Sequence, residues 1–376
     1  MLTLCDSEPD STAGLVFSKT EEFLVDGAIQ KGWLVRKRIC VKDESYDIYF
    51  SSRQTELTFT SEALLTSTLL PAMKTGIRLE DCEADALFLA SLPELMGIYS
   101  LWEAGAGKID ISNLMPTSRD SRETNRVGVF FTGGVDSFYT LLKNRDEIDD
   151  VIFVHGFDVN LGDVEHRNRV SRLVNRVGGE LGVNVIEIET NLRSLLDRYV
   201  SWNMAHGAAM AAVAHLLSPL FSRIYIASSF SYDMIFNWGS HPLLDPLWSS
   251  GTLQLIHHGC ETKRVDKVAY ISAYDIVMKN LRVCYKNLSY PKGGHDWGYN
   301  CGVCEKCLRT MTALRVAGKL EECRTFARPI DLKLLSRLKK ITHAQKIFLE
   351  ENLAALGVED KNLRKAIMKA LKNVKH

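Results

Sequence analysis

The segment Thr132-Gly133-Gly134-Val135-Asp136-Ser137 has the residue types of a loop that binds a polyphosphate. It follows the apolar run 127–131 and precedes a helical pattern. Adjacent glycines let backbone amides approach an anion closely, and the start of the next helix adds its positive end. Thr132 and Ser137 can donate hydroxyl hydrogen bonds. Asp136 would repel a phosphate unless Mg²⁺ lies between them, or unless it serves only to cap the helix.

Four cysteines near residue 300 have the spacing of a metal site. The last three form a Cys-x2-Cys-x2-Cys run, and the full set is Cys284, Cys301, Cys304 and Cys307. Four thiolates complete a tetrahedral shell around zinc, whose role would then be structural. An iron–sulfur cluster uses the same ligands and stays an alternative. The odd total of nine cysteines argues against a disulfide framework.

Apolar strand-like runs alternate with helical patterns after residue 126. The runs are 127–131, 151–154, 183–188 and 224–227, and the helical patterns are 138–144, 164–181 and 203–220. Unbroken apolar strands are typical of a parallel sheet that is covered on both faces. We therefore predict a doubly wound, Rossmann-like α/β domain over residues 127–320. Its ligands should bind at the C-terminal ends of the strands.

The segments on either side of this domain are predicted to be additions to it. Residues 1–120 read as an α+β extension of unknown role, with strands at 23–25, 32–40, 46–50 and 108–112 and a helix over 84–102 that breaks at Pro93. Residues 113–126 read as a linker. Residues 331–376 read as a helical extension. Its last sixteen residues hold six Lys or Arg, which suits either a solvated face or contact with RNA, a membrane or an acidic partner.

Composition and missing motifs narrow the classes of function. The 46 basic and 46 acidic residues cancel, so no overall field attracts nucleic acid. Neither Gly-x4-Gly-Lys-Ser/Thr nor Gly-x-Gly-x-x-Gly is present, which disfavours Walker-type NTPases and dinucleotide oxidoreductases. The apolar stretch 205–221 contains two histidines and reads as a buried helix. The first residues lack a secretion-signal pattern, so a cytoplasmic location is expected.

The loop and the cysteines together resemble one enzyme superfamily. TGGVDS after a strand resembles the Ser-Gly-Gly-x-Asp-Ser pyrophosphate loop (PP-loop) of the ATP pyrophosphatases, with Thr132 in place of the usual serine. The hydroxyl is kept by this replacement. A lone cysteine before an aromatic, a loop and the triple-cysteine run resemble the end of 7-cyano-7-deazaguanine synthases. The resemblance covers about residues 127–320 and leaves both extensions outside it.

This resemblance implies an activity and assigns roles to residues. Such enzymes adenylate 7-carboxy-7-deazaguanine with ATP and Mg²⁺, release pyrophosphate and pass the activated acid to ammonia. It implies catalytic roles for Asp136, Ser137 and Lys267, and ATP-binding roles for residues 132–137, His155 and Ser228. Other residues at strand ends would shape the substrate pocket, with the two tryptophans able to stack on a base: Asp158, Ser229, Tyr232, Asp233, Trp238 and Trp248. Each of these side chains also has an ordinary structural interpretation, such as packing or surface exposure.

Three functions remain open from the sequence. The first is a deazaguanine-synthase-like ligase, in a deazapurine modification pathway such as queuosine biosynthesis. A variant of it, in antiviral defence, would pass the acid to a protein amine. The second is a tRNA thiolase, which the zero net charge and the lack of cysteines between 83 and 259 disfavour. The third is a non-catalytic nucleotide-binding relative. No nucleic acid or membrane partner is expected, and the chain could form a homodimer.

Overall fold

The structure is a computed structural model that describes residues 19–25, 28–42, 44–79, 81–118, 124–284 and 299–373. Its N-terminal part begins with an antiparallel meander that confirms the three strands predicted there: β1 (Lys19–Val25), β2 (Ala28–Val41) and β3 (Glu44–Ser52). Four elements follow: α1 (Ser61–Thr75), β4 (Glu83–Asp85), α2 (Ala86–Trp102) and β5 (Met115–Thr117).

Five parallel strands form the centre of the molecule. They are β6 (Val127–Phe130), β7 (Asp150–His155), β8 (Asn184–Thr190), β9 (Arg223–Ala227) and β10 (Gln254–His258). Their order is β8-β7-β6-β9-β10, so the chain winds outward from β6 in one direction and then in the other. A crevice therefore opens between β6 and β9 at their C-terminal ends, where open α/β sheets bind ligands.

Helices cover both faces of this sheet. Those in this part of the chain are α3 (Val135–Lys143), α4 (Val164–Leu181), α5 (Leu192–Tyr199), α6 (Trp202–Leu216), α7 (Arg264–Ile271), α8 (Asp275–Asn280) and α9 (Glu305–Val316). The buried cluster on one face contains side chains of α1, α2, α5 and α6. The cluster on the other contains side chains of α3, α4, α7, α8 and α9. The α/β prediction is confirmed.

The N-terminal meander extends the same sheet. Strand β3 pairs antiparallel with β8, with Phe50 opposite Thr190 and Ser52 opposite Ile188. The described sheet thus has eight strands, in the order β1-β2-β3-β8-β7-β6-β9-β10. Val35 and Phe50 are buried in the cluster that also contains α1 and α6. Pairing with β3 covers the edge of β8 at residues 188–190.

Two local predictions in the N-terminal part are wrong. Helix α2 continues through Pro93, because Leu92, Leu95 and Tyr99 bury one face completely and this packing outweighs the proline's cost. Residues 108–112 form no strand. The side chain of Asp110 accepts a hydrogen bond from the Ser112 N–H at 3.0 Å, which makes a turn instead. The short strand of this region is β5, inside the predicted linker.

Helices at the C-terminus confirm the predicted helical extension. They are α10 (Leu332–Ser336), α11 (His343–Ala355) and α12 (Lys361–Leu371). A capping box between Thr342 and Gln345 starts α11. The three helices share a small hydrophobic core with Leu308 of α9, so the extension is docked on the helix that follows the cysteine run. In the part of the chain that is described, no helix combines the length and the apolar character needed to cross a membrane.

Candidate functional site

Gly133 shapes the turn between β6 and α3. Its φ of 73° lies in the left-handed region, and a Cβ there would stand 2.9 Å from Cδ2 of Leu173. A side chain at this position would therefore strain the backbone and crowd α4. Gly134 has a φ of −84° and is the N-cap of α3, a conformation open to other residues. The expected need for an unusual glycine backbone applies to Gly133 alone.

The loop's hydrogen-bond donors converge on one point. The Gly134 N–H donates to Oγ of Ser137 at 3.1 Å, and the Thr132 N–H donates to the same atom at 3.3 Å. Oγ1 of Thr132 lies 3.4 Å from that oxygen. These groups surround the start of α3, where the helix has its partial positive charge. An anion that took the place of the Ser137 oxygen would therefore meet two amide donors.

Asp136 is the carboxylate at the mouth of this loop. Its Oδ2 forms an ion pair with Nη1 of Arg264, and Nζ of Lys267 lies 3.7 Å from its Oδ1. Oδ1 is buried and accepts no hydrogen bond from any described residue. A buried carboxylate oxygen without a donor suits a hard cation such as Mg²⁺. The residues present therefore fit the predicted metal.

Cationic side chains from separate segments gather around the loop. They are Arg264 and Lys267 on α7, Arg282 after α8, and Lys306 on α9. Burial lowers the pKa of Lys267, which the Asp136 charge partly offsets. Burial also lowers the pKa of Arg282 and of Lys306. A polyanion would reverse this cost by supplying the opposite charge. Sequence reasoning found only Lys267 among the four.

Arg282 is tied directly to the glycine loop. Its backbone N–H donates to the Gly133 carbonyl at 2.7 Å, and its Nη1 donates to the Thr132 carbonyl at 3.3 Å. Its Nε is buried and donates to no group within the described ranges. Arg282 thus fixes the loop through two hydrogen bonds, and its Nε–H remains available to donate to a ligand. No sequence motif marks this residue, because it lies 150 positions from the loop.

A cavity of about 220 Å³ opens above the loop at the ends of β6, β7 and β9. Its polar part contains residues 134–137, Asp158, Ser229 and the three cations Arg264, Arg282 and Lys306. Its apolar part is lined by Phe130, His206, Met210, Ile226 and Trp238. The predicted residues Thr132, Gly134, Val135, Asp136, Ser137, Asp158, Ser229 and Trp238 are therefore brought together. A charged end and an aromatic end suit a ligand that has both polyphosphate and a planar ring.

Several predicted site residues lie elsewhere. His155 contacts Glu187 at 2.8 Å and lines a separate groove of about 400 Å³ beside α4. Ser228 is buried behind the cavity, where its carbonyl accepts from Nζ of Lys267 at 2.7 Å and its hydroxyl donates to the Phe230 carbonyl. Trp248 is fully buried against Phe88 in the opposite core and cannot stack on a ligand. Tyr232 and Asp233 lie outside the cavity, in a short 3-10 helix.

A buried ion pair supports the wall that carries Ser240. Nδ1 of His257 lies 2.7 Å from Oδ2 of Asp245, and the Ser240 hydroxyl donates to the same oxygen at 2.7 Å. Burial lowers the pKa of His257, but hydrogen bonds to Asp245 and Cys260 and the charges of these two groups outweigh burial and raise it to about 9. His257 is therefore protonated at neutral pH.

The His257–Asp245 pair is expected to make stability depend on pH. The folded pKa of His257 exceeds its unfolded value, so its contribution is full below about pH 6.5 and is lost as pH rises through 9. The loss amounts to up to about 3 kcal/mol in the free energy of unfolding. Urea unfolding of wild type and His257→Gln should show a gap that narrows between about pH 6 and about pH 9.5. A gap that stays constant or widens would contradict this assignment.

The four cysteines meet after α8 and at the start of α9. Their sulfur atoms all lie within 4.8 Å of one another. The Sγ–Sγ distances are 3.8 Å for Cys284–Cys304, 3.8 Å for Cys301–Cys307 and 3.4 Å for Cys304–Cys307. Four thiolates at about 2.3 Å from one zinc stand about 3.8 Å apart. The cluster could therefore hold a single metal ion such as zinc.

The cysteine cluster adjoins the cavity. Cys284 lines both, and Arg282 precedes it by two residues. Lys306 lies between Cys304 and Cys307, at the start of α9. A bound metal would therefore fix both cations at the cavity edge. The cluster cysteines carry no disulfide. Cys40 on β2 is disulfide-bonded, while the other described cysteines are free.

Comparison of the whole chain with protein-family models and with curated proteins finds no match.

Proposed function

We propose that this protein is an ATP-dependent ligase that adenylates a carboxylate and releases pyrophosphate. The substrate we propose is 7-carboxy-7-deazaguanine or a similar acid. One observation carries the proposal: a single cavity joins the TGGVDS loop, a carboxylate whose Oδ1 accepts no hydrogen bond from the described residues, and cations from three segments. It lies at the C-terminal edge of the parallel strands, next to the switch point between β6 and β9.

The polar end of the cavity provides what a triphosphate needs. The amides of Thr132 and Gly134, once released from Oγ of Ser137, and the Ser137 hydroxyl would bind the β- and γ-phosphates, which leave together as pyrophosphate. Asp136 would hold Mg²⁺, which when bound neutralises charge between phosphate oxygens. Arg264 and the other cavity cations would stabilise negative charge that builds up as the leaving group departs.

The reaction needs placement rather than a side-chain nucleophile. A substrate carboxylate oxygen attacks the α-phosphorus in line with the leaving pyrophosphate, and the α–β phosphoanhydride bond breaks. Ammonia or a protein amine then attacks the acyl carbon of the acyl-adenylate, and AMP leaves. Trp238 and Met210 offer an apolar surface for one planar ring. Buried walls around the cations keep their charges effective by excluding water.

Exchange of labelled pyrophosphate into ATP tests this function. We expect exchange that requires 7-carboxy-7-deazaguanine, because the reverse of adenylation needs the acyl-adenylate. Matched assays would use 7-deazaguanine without the carboxylate, and the acid with no added Mg²⁺; both should give background exchange. Exchange with a different carboxylate only would overturn the substrate and leave the chemistry standing. Lack of exchange with every carboxylate tested would overturn the proposed function.

A further inference from the structure

Helix α11 of the C-terminal extension reaches the candidate site from outside through one aromatic ring. Phe348 is 5% exposed. Its ring stacks on Phe230, with centroids 5.2 Å apart and an interplanar angle of 12°. On the same ring lie two guanidinium groups, with Cζ of Arg309 4.1 Å and Cζ of Arg264 5.2 Å from the centroid. These distances are within the range of cation–π attraction.

One face of α11 contacts both the backbone and the guanidinium of Arg264. Its backbone N–H donates to Oε2 of Glu351 at 3.1 Å, while its guanidinium lies on Phe348 and pairs with Asp136. Asn352, on the same face, donates to the Arg309 carbonyl at 2.9 Å. These three residues of α11 follow an i, i+3, i+4 pattern, so one helical turn makes all the contacts. The extension is therefore attached at the cationic rim of the cavity.

The ion pair between Arg264 and Asp136 competes with the proposed chemistry. A guanidinium on Asp136 repels a divalent cation that approaches the same carboxylate. Loading of ATP with its metal is therefore favoured when the Arg264 guanidinium shifts from Oδ2 of Asp136 towards a phosphate. An aromatic face is suited to this exchange, because cation–π attraction tolerates displacement across the ring whereas a carboxylate partner would fix one geometry.

We propose that Phe348 is a positioning residue that keeps the Arg264 guanidinium between Asp136 and the nucleotide phosphates. The part of this inference that concerns the phosphates rests on the proposed function. The contact between Phe348 and Arg264 does not depend on it. It gives the C-terminal extension a role in nucleotide binding. Without the ring, Arg264 would spend more time away from the cavity, and the bound triphosphate would lose part of its charge compensation.

The first arm of the test uses protein without nucleotide. Phenylglyoxal modifies accessible arginines, and peptide mass spectrometry reports the rate at Arg264 relative to the exposed Arg38. Phe348→Leu should raise this relative rate several-fold, and Phe348→Tyr, which keeps the ring, should restore it. Leu349→Ala, on the same helix but facing the C-terminal core, should lower the melting temperature with a smaller change in the rate. An unchanged rate in Phe348→Leu would overturn the inference.

The second arm measures pyrophosphate exchange at varied ATP. Phe348→Leu should raise KM for ATP by about 3- to 30-fold, the range that one cation–π contact implies. Phe348→Tyr should return KM to near the wild-type value. A fall in kcat alone, or an equal KM change in Leu349→Ala, would overturn the positioning role. Wild-type protein without exchange would overturn the proposed function, while the modification arm would still decide whether Phe348 holds Arg264.

Discussion

Asp136→Asn is expected to lower the rate of pyrophosphate exchange by on the order of 100-fold or more. The amide cannot bind a divalent cation with the charge of a carboxylate, and its NH₂ group would face the phosphates without offsetting their charge. It would also remove the anion that lies beside Arg264 and Lys267. Circular dichroism and thermal unfolding should show a folded protein, because neither cation is left fully buried without other partners.

The control for this variant is Asp275→Asn. Asp275 is also an aspartate in the first turn of a helix, α8, but its carboxylate is exposed and pairs with Lys279. This variant should keep exchange within about 2-fold of wild type, since exposed ion pairs contribute little. Full turnover in Asp136→Asn would show that the loop does not hold a metal–triphosphate. Equal losses in both variants would point to helix capping instead.

Loss of the cysteine-bound metal is expected to have the largest effect on folding. Cys304→Ser should abolish the binding of one zinc per chain, lower the melting temperature by about 10 °C or more and reduce ATP affinity. The physical reason is that the metal would hold the segments carrying Arg282 and Lys306 at the cavity edge. Elemental analysis of the purified protein, calorimetry and nucleotide binding measure the three effects.

Cys323→Ser is the matched control for the metal. Cys323 is buried and close in sequence, but it lies outside the four-sulfur cluster. Its replacement should leave the zinc content at one per chain and cost much less stability. Wild-type protein purified with no bound metal and unable to take up zinc would contradict the metal assignment. So would Cys304→Ser protein that still binds one zinc.

Local signals were sufficient for much of the fold. The apolar face of α4 predicts a helix over 164–181, and the structure has the same bounds. Runs such as 151–154 are long enough and apolar enough to identify buried parallel strands. The helix over 61–75 was missed, since its surface is buried nearly all round and shows little amphipathic period. The predicted helix break at Pro93 is wrong because tertiary packing of α2 outweighs the low helix propensity of proline.

The candidate site was only partly visible in the sequence. The TGGVDS loop and the cysteine run are contiguous, so their residue types alone suggest their chemistry. Arg264, Arg282 and Lys306 were missed because they come from separate segments and have no motif of their own. The predicted stacking role of Trp248 is wrong, since a tryptophan between regular elements can be a core residue, as it is here beside Phe88. His155 ends a strand at the correct edge but faces a different groove.

The most direct test of adenylation traces the carboxylate oxygen of the substrate acid into the products. Wild-type protein would turn over ATP with Mg²⁺, ammonia and 7-carboxy-7-deazaguanine labelled with ¹⁸O in the carboxylate, and the products would be analysed by mass spectrometry. Attack of the carboxylate on the α-phosphorus predicts pyrophosphate without label and AMP that carries one ¹⁸O atom. Formation of ADP and phosphate, or of AMP whose new oxygen comes from water, would contradict adenylation of the acid at this loop.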